Sequence, residues 1–160
     1  MANSTFNGPV RSENGFQSIS KSSTTGAVTS TMTLRTYEAT ITVANGATTG
    51  KESAVGIPAN FIPMGVTVAV TTASTNSVTL SDIGTDADTD GYVDGISAAL
   101  NTTGFKGFFG CNGVLGMSGF TTASSGLVGD EVELVVSGDP GSDTVIVLKF
   151  FGISSSSDAS

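Results

Sequence analysis

Apolar and small polar residues alternate along much of this chain with a period of two. Val66, Val68 and Val70 alternate with Thr67, Ala69 and Thr71, the pattern of a half-buried strand. A polar turn centred on Ser74, Thr75 and Asn76 follows. Val78 and Leu80 then resume the pattern as far as Ile83 and Gly84, so a hairpin is predicted over 65–84. Upstream, Tyr37, Ala39, Ile41 and Val43 share one face and Glu38, Thr40 and Thr42 the other. Asn45-Gly46 supplies the turn after them, where φ is expected to be positive. Val28–Leu34 is a further strand candidate, and Ser53–Ile57 a short one stopped by Pro58. Pro63 is expected just ahead of the hairpin, where its missing N–H does no harm to a ladder. Tyr92–Leu100 reads as a strand or a short helical turn, with Gly91 and Gly95 weighing against helix.

The second half repeats the theme. Val132, Leu134 and Val136 share a face opposite Glu131 and Glu133, and Gly138-Asp139-Pro140-Gly141 reads as a turn. Val145, Val147, Lys149 and Phe151 then return on one face, with Thr144, Ile146, Leu148 and Phe150 on the other, which predicts a second hairpin. Both faces of this last strand are largely apolar, as in a strand covered on two sides. About eight or nine short strands, turn signals roughly every 8–12 residues and no firm helix predict an all-β fold. The expected architecture is an antiparallel β-sandwich with a jelly-roll-like connection.

Two stretches depart from the alternation. Residues 1–25 are rich in Asn, Ser, Thr and Gly around Phe6, Val10, Phe16 and Ile19, and Pro9 discourages helix. They read as an extended N-terminal arm whose apolar side chains, with Arg11, bind a partner, or else as a disordered tail. The β-sandwich domain is then expected over 26–153 and a polar tail over 154–160. In 105–119, Phe105, Phe108 and Phe109 are interleaved with glycines. Glycine lets backbones approach while aromatics fill space. With Phe150 and Phe151 of the last strand, these phenylalanines are expected at an interface between copies of the chain.

Composition narrows the functional classes. Against 14 acidic residues stand 6 basic ones, for a net charge of −8. A nucleic-acid binder must neutralise phosphates with Lys and Arg, and an anionic membrane likewise selects for basic residues, so neither partner is expected. The single cysteine, Cys111, forms no intrachain disulfide and lies beside no base, so a structural thiol is expected. The opening residues lack the basic and apolar regions of a signal peptide, so folding in a cytoplasm is expected. With 0 histidines, Ser-His-Asp and Cys-His catalysis and most zinc sites are excluded. No nucleophile elbow or phosphate-binding loop is present either, and no enzymatic activity is expected.

One constellation remains. Asp86, Asp88, Asp90 and Asp94 place four carboxylates within nine residues, with Gly91 among them. Counted from Asp86, they occupy positions one, three, five and nine of a calcium loop, Gly91 takes position six, and the Tyr92 carbonyl would take position seven. Alternate residues could turn their oxygens toward one hard cation. Position twelve is Ser97, however, where such loops carry a bidentate Glu. The segment is either a cation site, for which calcium is the candidate, or an acidic solvated turn. No other cofactor is expected.

Two segments carry a resemblance. Thr5-Phe6-Asn7-Gly8-Pro9-Val10-Arg11-Ser12, followed by Asn14-Gly15-Phe16, resembles the opening of small virion proteins of tailed bacteriophages, especially marine ones. Ile57-Pro58-Ala59-Asn60 through Gly65-Val66, then Val78-Thr79-Leu80 and Ile83-Gly84 with Asp86 and Asp88, is similar to a β-sandwich of phage structural genes. The resemblance covers roughly the first hundred residues. It implies a capsid decoration, or cement, protein that is made in the host cytoplasm and stabilises the shell from the head surface of the virion. It implies as partners the major capsid protein of an HK97-like shell and the chain itself, as a homotrimer. A tail or fibre component, or a calcium-stabilised adhesive module of a bacterial surface, are the alternatives.

Overall fold

A computed structural model of the chain describes residues 17–52, 57, 61–86, 88–111 and 131–156. Nine strands lie within them: β1 (Gln17–Lys21), β2 (Val28–Val43), β3 (Thr49–Lys51), β4 (Phe61–Thr72), β5 (Thr79–Gly84), β6 (Ala98–Ala99), β7 (Gly104–Gly110), β8 (Glu133–Val136) and β9 (Thr144–Ser156). There is no helix among the described residues. The strands form a five-stranded sheet in the order β1-β2-β9-β4-β7 and a four-stranded sheet in the order β3-β8-β5-β6. Every pairing is antiparallel. Apart from the added edge strand β1, consecutive strands switch sheets at every step except β5 to β6, which makes this the jelly-roll arrangement of an antiparallel sandwich.

Period-two alternation decides which side chains enter the core. Ala39, Ile41 and Val43 of β2, Val66, Val68 and Val70 of β4, and Ile146, Leu148 and Phe150 of β9 all point inward and are buried. Leu80 and Ile83 of β5 and Val132, Leu134 and Val136 at β8 meet them from the other sheet. Tyr92, Val93, Ile96 and Leu100 fold in between β5 and β7. The Tyr92 ring stands edge-on to Phe150, with centroids 5.4 Å apart.

Both predicted hairpins are corrected. Val66–Val70 and Leu80–Ile83 lie in different sheets, as do Glu133–Val136 and Val145–Phe151. The segments 73–78 and 137–143 therefore carry the chain across the sandwich. Alternation reports which face is buried, and a turn reports only that the chain reverses; neither names the partner strand. Pro63 lies inside β4 at a register shift, where the ladder is already interrupted. Gly104–Gly110 is an edge strand, and 92–100 is neither helix nor continuous strand: it holds an isolated bridge at Val93 and the short β6.

The domain boundaries shift as well. Gln17–Lys21, expected within the arm, pairs with β2, and Ser154–Ser156, expected in the tail, pairs with Thr31–Thr33. Backbone hydrogen bonds need no apolar side chain, so serine-rich segments can extend a ladder that their neighbours have started. Phe6, Val10, Arg11 and Phe16 lie outside the described residues. Ile19 lies in β1, opposite Thr31.

Candidate functional site

The acidic loop leaves the end of β5. The chain turns tightly there because position 84 is glycine: a Cβ would run into the Asp88 carbonyl oxygen and lie 2.6 Å from the oxygen of Thr89. The Thr85 N–H donates to the Asp88 carbonyl at 2.8 Å and the Asp88 N–H donates back at 3.2 Å. The Tyr92 and Val93 N–H groups both donate to the Ile83 carbonyl at 2.9 Å. The loop is thus anchored by backbone bonds at both ends.

Its carboxylates are not drawn to one centre. Asp86 pairs with Lys51 of β3. Asp88 is hydrogen-bonded to Asp90, which is the main cause holding the Asp88 carboxyl above its usual range. Asp94 is exposed, and the Tyr92 side chain is buried in the core. No group of three or more Asp, Glu, Cys or His able to hold a metal ion occurs among the described residues.

A second acidic pair was not apparent in the sequence. Register places Lys51 opposite Glu133, and Gly84 opposite the same residue from the other side. Glu133 is buried, and that desolvation, followed by the neighbouring Asp86, pushes its carboxyl up. The Lys51 ammonium, first among its causes, holds Asp86 low. Nearby, the Tyr37 hydroxyl donates to Glu52 Oε2 at 2.7 Å, and Glu52 is itself buried. Burial first, then this carboxylate, raises the Tyr37 phenol. These contacts tie β2, β3, β8 and the acidic loop together; only knowledge of which strands are neighbours reveals them.

Of the phenylalanines expected between copies, Phe105, Phe108 and Phe151 are exposed at 69%, 58% and 40%. Phe150 is corrected. It is fully buried in its own core, because it faces inward beside Ile146 and Leu148. Phe109, opposite Val66, packs partly against the same core. Cys111 is half-buried, and burial pushes its thiol up to about 12.

The fold and these surfaces define the chain as an antiparallel jelly-roll sandwich with an acidic end and an apolar outer face. No protein-family model matches the sequence, and no curated protein matches it.

Proposed function

We propose that the chain is a structural protein of a bacteriophage virion, a decoration protein that binds the outer surface of an HK97-like head as trimers and stabilises the shell. The observation that carries this reading is the strand order, β2-β9-β4-β7 against β3-β8-β5-β6. Jelly rolls of this kind serve as viral capsid domains, although a fold alone hosts many functions. Two features support the reading. The body is acidic and self-repelling, and two of its ion pairs, Lys51 with Asp86 and Lys149 with Glu38, tie separate elements together. The N-terminal segment with Phe6, Val10 and Arg11 precedes β1, the edge strand of the five-stranded sheet.

Co-sedimentation of the purified full-length chain with purified shells tests this directly. Saturation at hundreds of sites per particle, and shells that resist heating longer when decorated, are the expected results. No co-sedimentation, or a few tens of copies or fewer in the intact particle, would overturn it; the lower copy number would point to a tail component.

A further inference from the structure

All five large apolar side chains exposed among the described residues, Leu34, Met64, Phe105, Phe108 and Phe151, belong to strands of the five-stranded sheet. The four-stranded sheet has none. Phe105, Phe108 and Phe151 take outward register positions, opposite Ala69, Thr67 and Gly65. Phe108 is held as a fixed knob, its ring lying across Gly65 where a Cβ would collide with it. Toward β2 the same face carries Thr40 and Thr42 beside Val147 and Val145, and Thr36 beside Phe151.

We infer that this outer face is a homotypic interface, in which Phe105 and Phe108 at the β7 edge of one copy lie on the β2–β9 half of a second copy. Charge argues for this occupant. The chain carries −8 overall, so two copies repel across most of their surface. Of charged residues, the outward positions of β2, β9 and β4 hold only Glu38 and Lys149, which neutralise each other at 2.9 Å, and β7 adds Lys106, whose ammonium donates to the Thr102 hydroxyl. This is where two acidic copies can approach without facing like charges. The area is also sufficient. Eight residue steps of about 3.4 Å along β2 and four strands at about 4.8 Å give roughly 500 Å² per copy. Specific interfaces begin at about 1,000 Å² in total. The inference rests on the self-associating half of the decoration reading and not on the shell.

Light scattering coupled to size exclusion tests it on the full-length chain over a range of concentrations. The expected mass is at least twice the 16.0 kDa of one chain, and Phe105→Ser with Phe108→Ser should raise the dissociation constant at least about tenfold. Melting temperatures close to the parent's keep that loss distinct from unfolding, since both side chains are more than half exposed. A parent that stays monomeric throughout, or variants that associate as the parent does, would overturn the proposal. So would association that appears only after residues 1–16 are deleted, because the chain's own first segment would then be the occupant. Shell binding, measured separately on the same variants, keeps a failure of this interface distinct from a failure of the decoration reading.

Discussion

Phe150 and Phe151 are adjacent in β9 and chemically identical, yet the fold gives them opposite environments, and exchanging each for alanine separates core from surface. Phe150 has no exposed area and touches two other rings, Tyr92 at 5.4 Å and Tyr37 at 6.4 Å. A fully buried Phe→Ala change costs about 3–5 kcal/mol in lost transfer energy and cavity. The edge-on Tyr92 contact places Phe150 in the upper part of that range, since such pairs add about 0.5–1.5 kcal/mol. Phe151 keeps 40% of its surface in water. Burying a Phe fully is worth about 1.5–3 kcal/mol, so truncating this half-covered ring should cost about 1 kcal/mol. At about 2–4 °C per kcal/mol for a domain of this size, Phe150→Ala should lower the melting temperature by roughly 8–20 °C and Phe151→Ala by a few degrees. Urea unfolding followed by circular dichroism at low protein concentration, where association makes little contribution, measures both. Equal costs, or a larger cost at Phe151, would refute the assignment of faces in β9 and with it the register against β2 and β4.

Four further outcomes follow from particular contacts. Tyr37→Phe removes the donor to buried Glu52 and should cost about 1.5–3 kcal/mol in chemical denaturation; in the parent, because the folded phenol is raised, that stability is full below pH 10 and is lost as pH rises beyond it. Thr85 is fully buried, and its Oγ1 has no hydrogen-bond partner among the described residues, so Thr85→Val should leave the melting temperature unchanged or raise it by a few degrees; a clear drop would reveal a bond made by that hydroxyl. Asp139 is held low by the N–H groups of Gly141 and Gly46, so its contribution is present above the ordinary Asp range and is lost as pH falls below about 4; an acid titration of Asp139→Asn should lack that part of the loss. Because Asp86 is engaged by Lys51 and Asp88 by Asp90, calcium and magnesium should shift the melting temperature alike, and a calcium-specific rise that Asp88→Asn abolishes would show the loop closing around the ion.

The burial of the strands was legible in the sequence because alternation is a local property. Val66, Val68 and Val70 could be assigned to one buried face from spacing alone, and the sandwich followed; Ile146, Leu148 and Phe150 could not, because both faces of their strand read as apolar. Partnership was not legible, because pairing joins residues far apart in the chain: Val43 meets Thr144, and Thr31 meets Ser156. The acidic loop shows the same division. Its carboxylates were obvious, but Lys51 and Glu133 come from β3 and β8, and only the sheet order brings them to Asp86. Counting residues along a loop gave a convergent ligand set; the ion pair across strands turns Asp86 elsewhere. At the opposite end, the Asn45-Gly46 and 138–141 turns were both read correctly as turns, with Gly46 and Gly141 at φ of 82° and 72°. That they are joined, through Asp139 accepting from the Gly46 N–H at 2.9 Å, was beyond any local pattern.

The position of β9 has a consequence for how the chain is born. β2 and β4 are not neighbours; each lines one side of β9, the last strand in the described sequence. During synthesis, at about 5–20 residues per second, both emerge well before the strand that joins them. Until then the nascent five-stranded sheet exists as two fragments with open edges, which are templates for wrong pairing. Pairing so distant in sequence is slow to form, and it awaits the residues from Thr144 onward. Pro63 and the register shift beside it blunt one of those waiting edges, that of β4. Premature termination anywhere before Thr144 would therefore release a chain with its central sheet unjoined, rather than a shorter but folded sandwich.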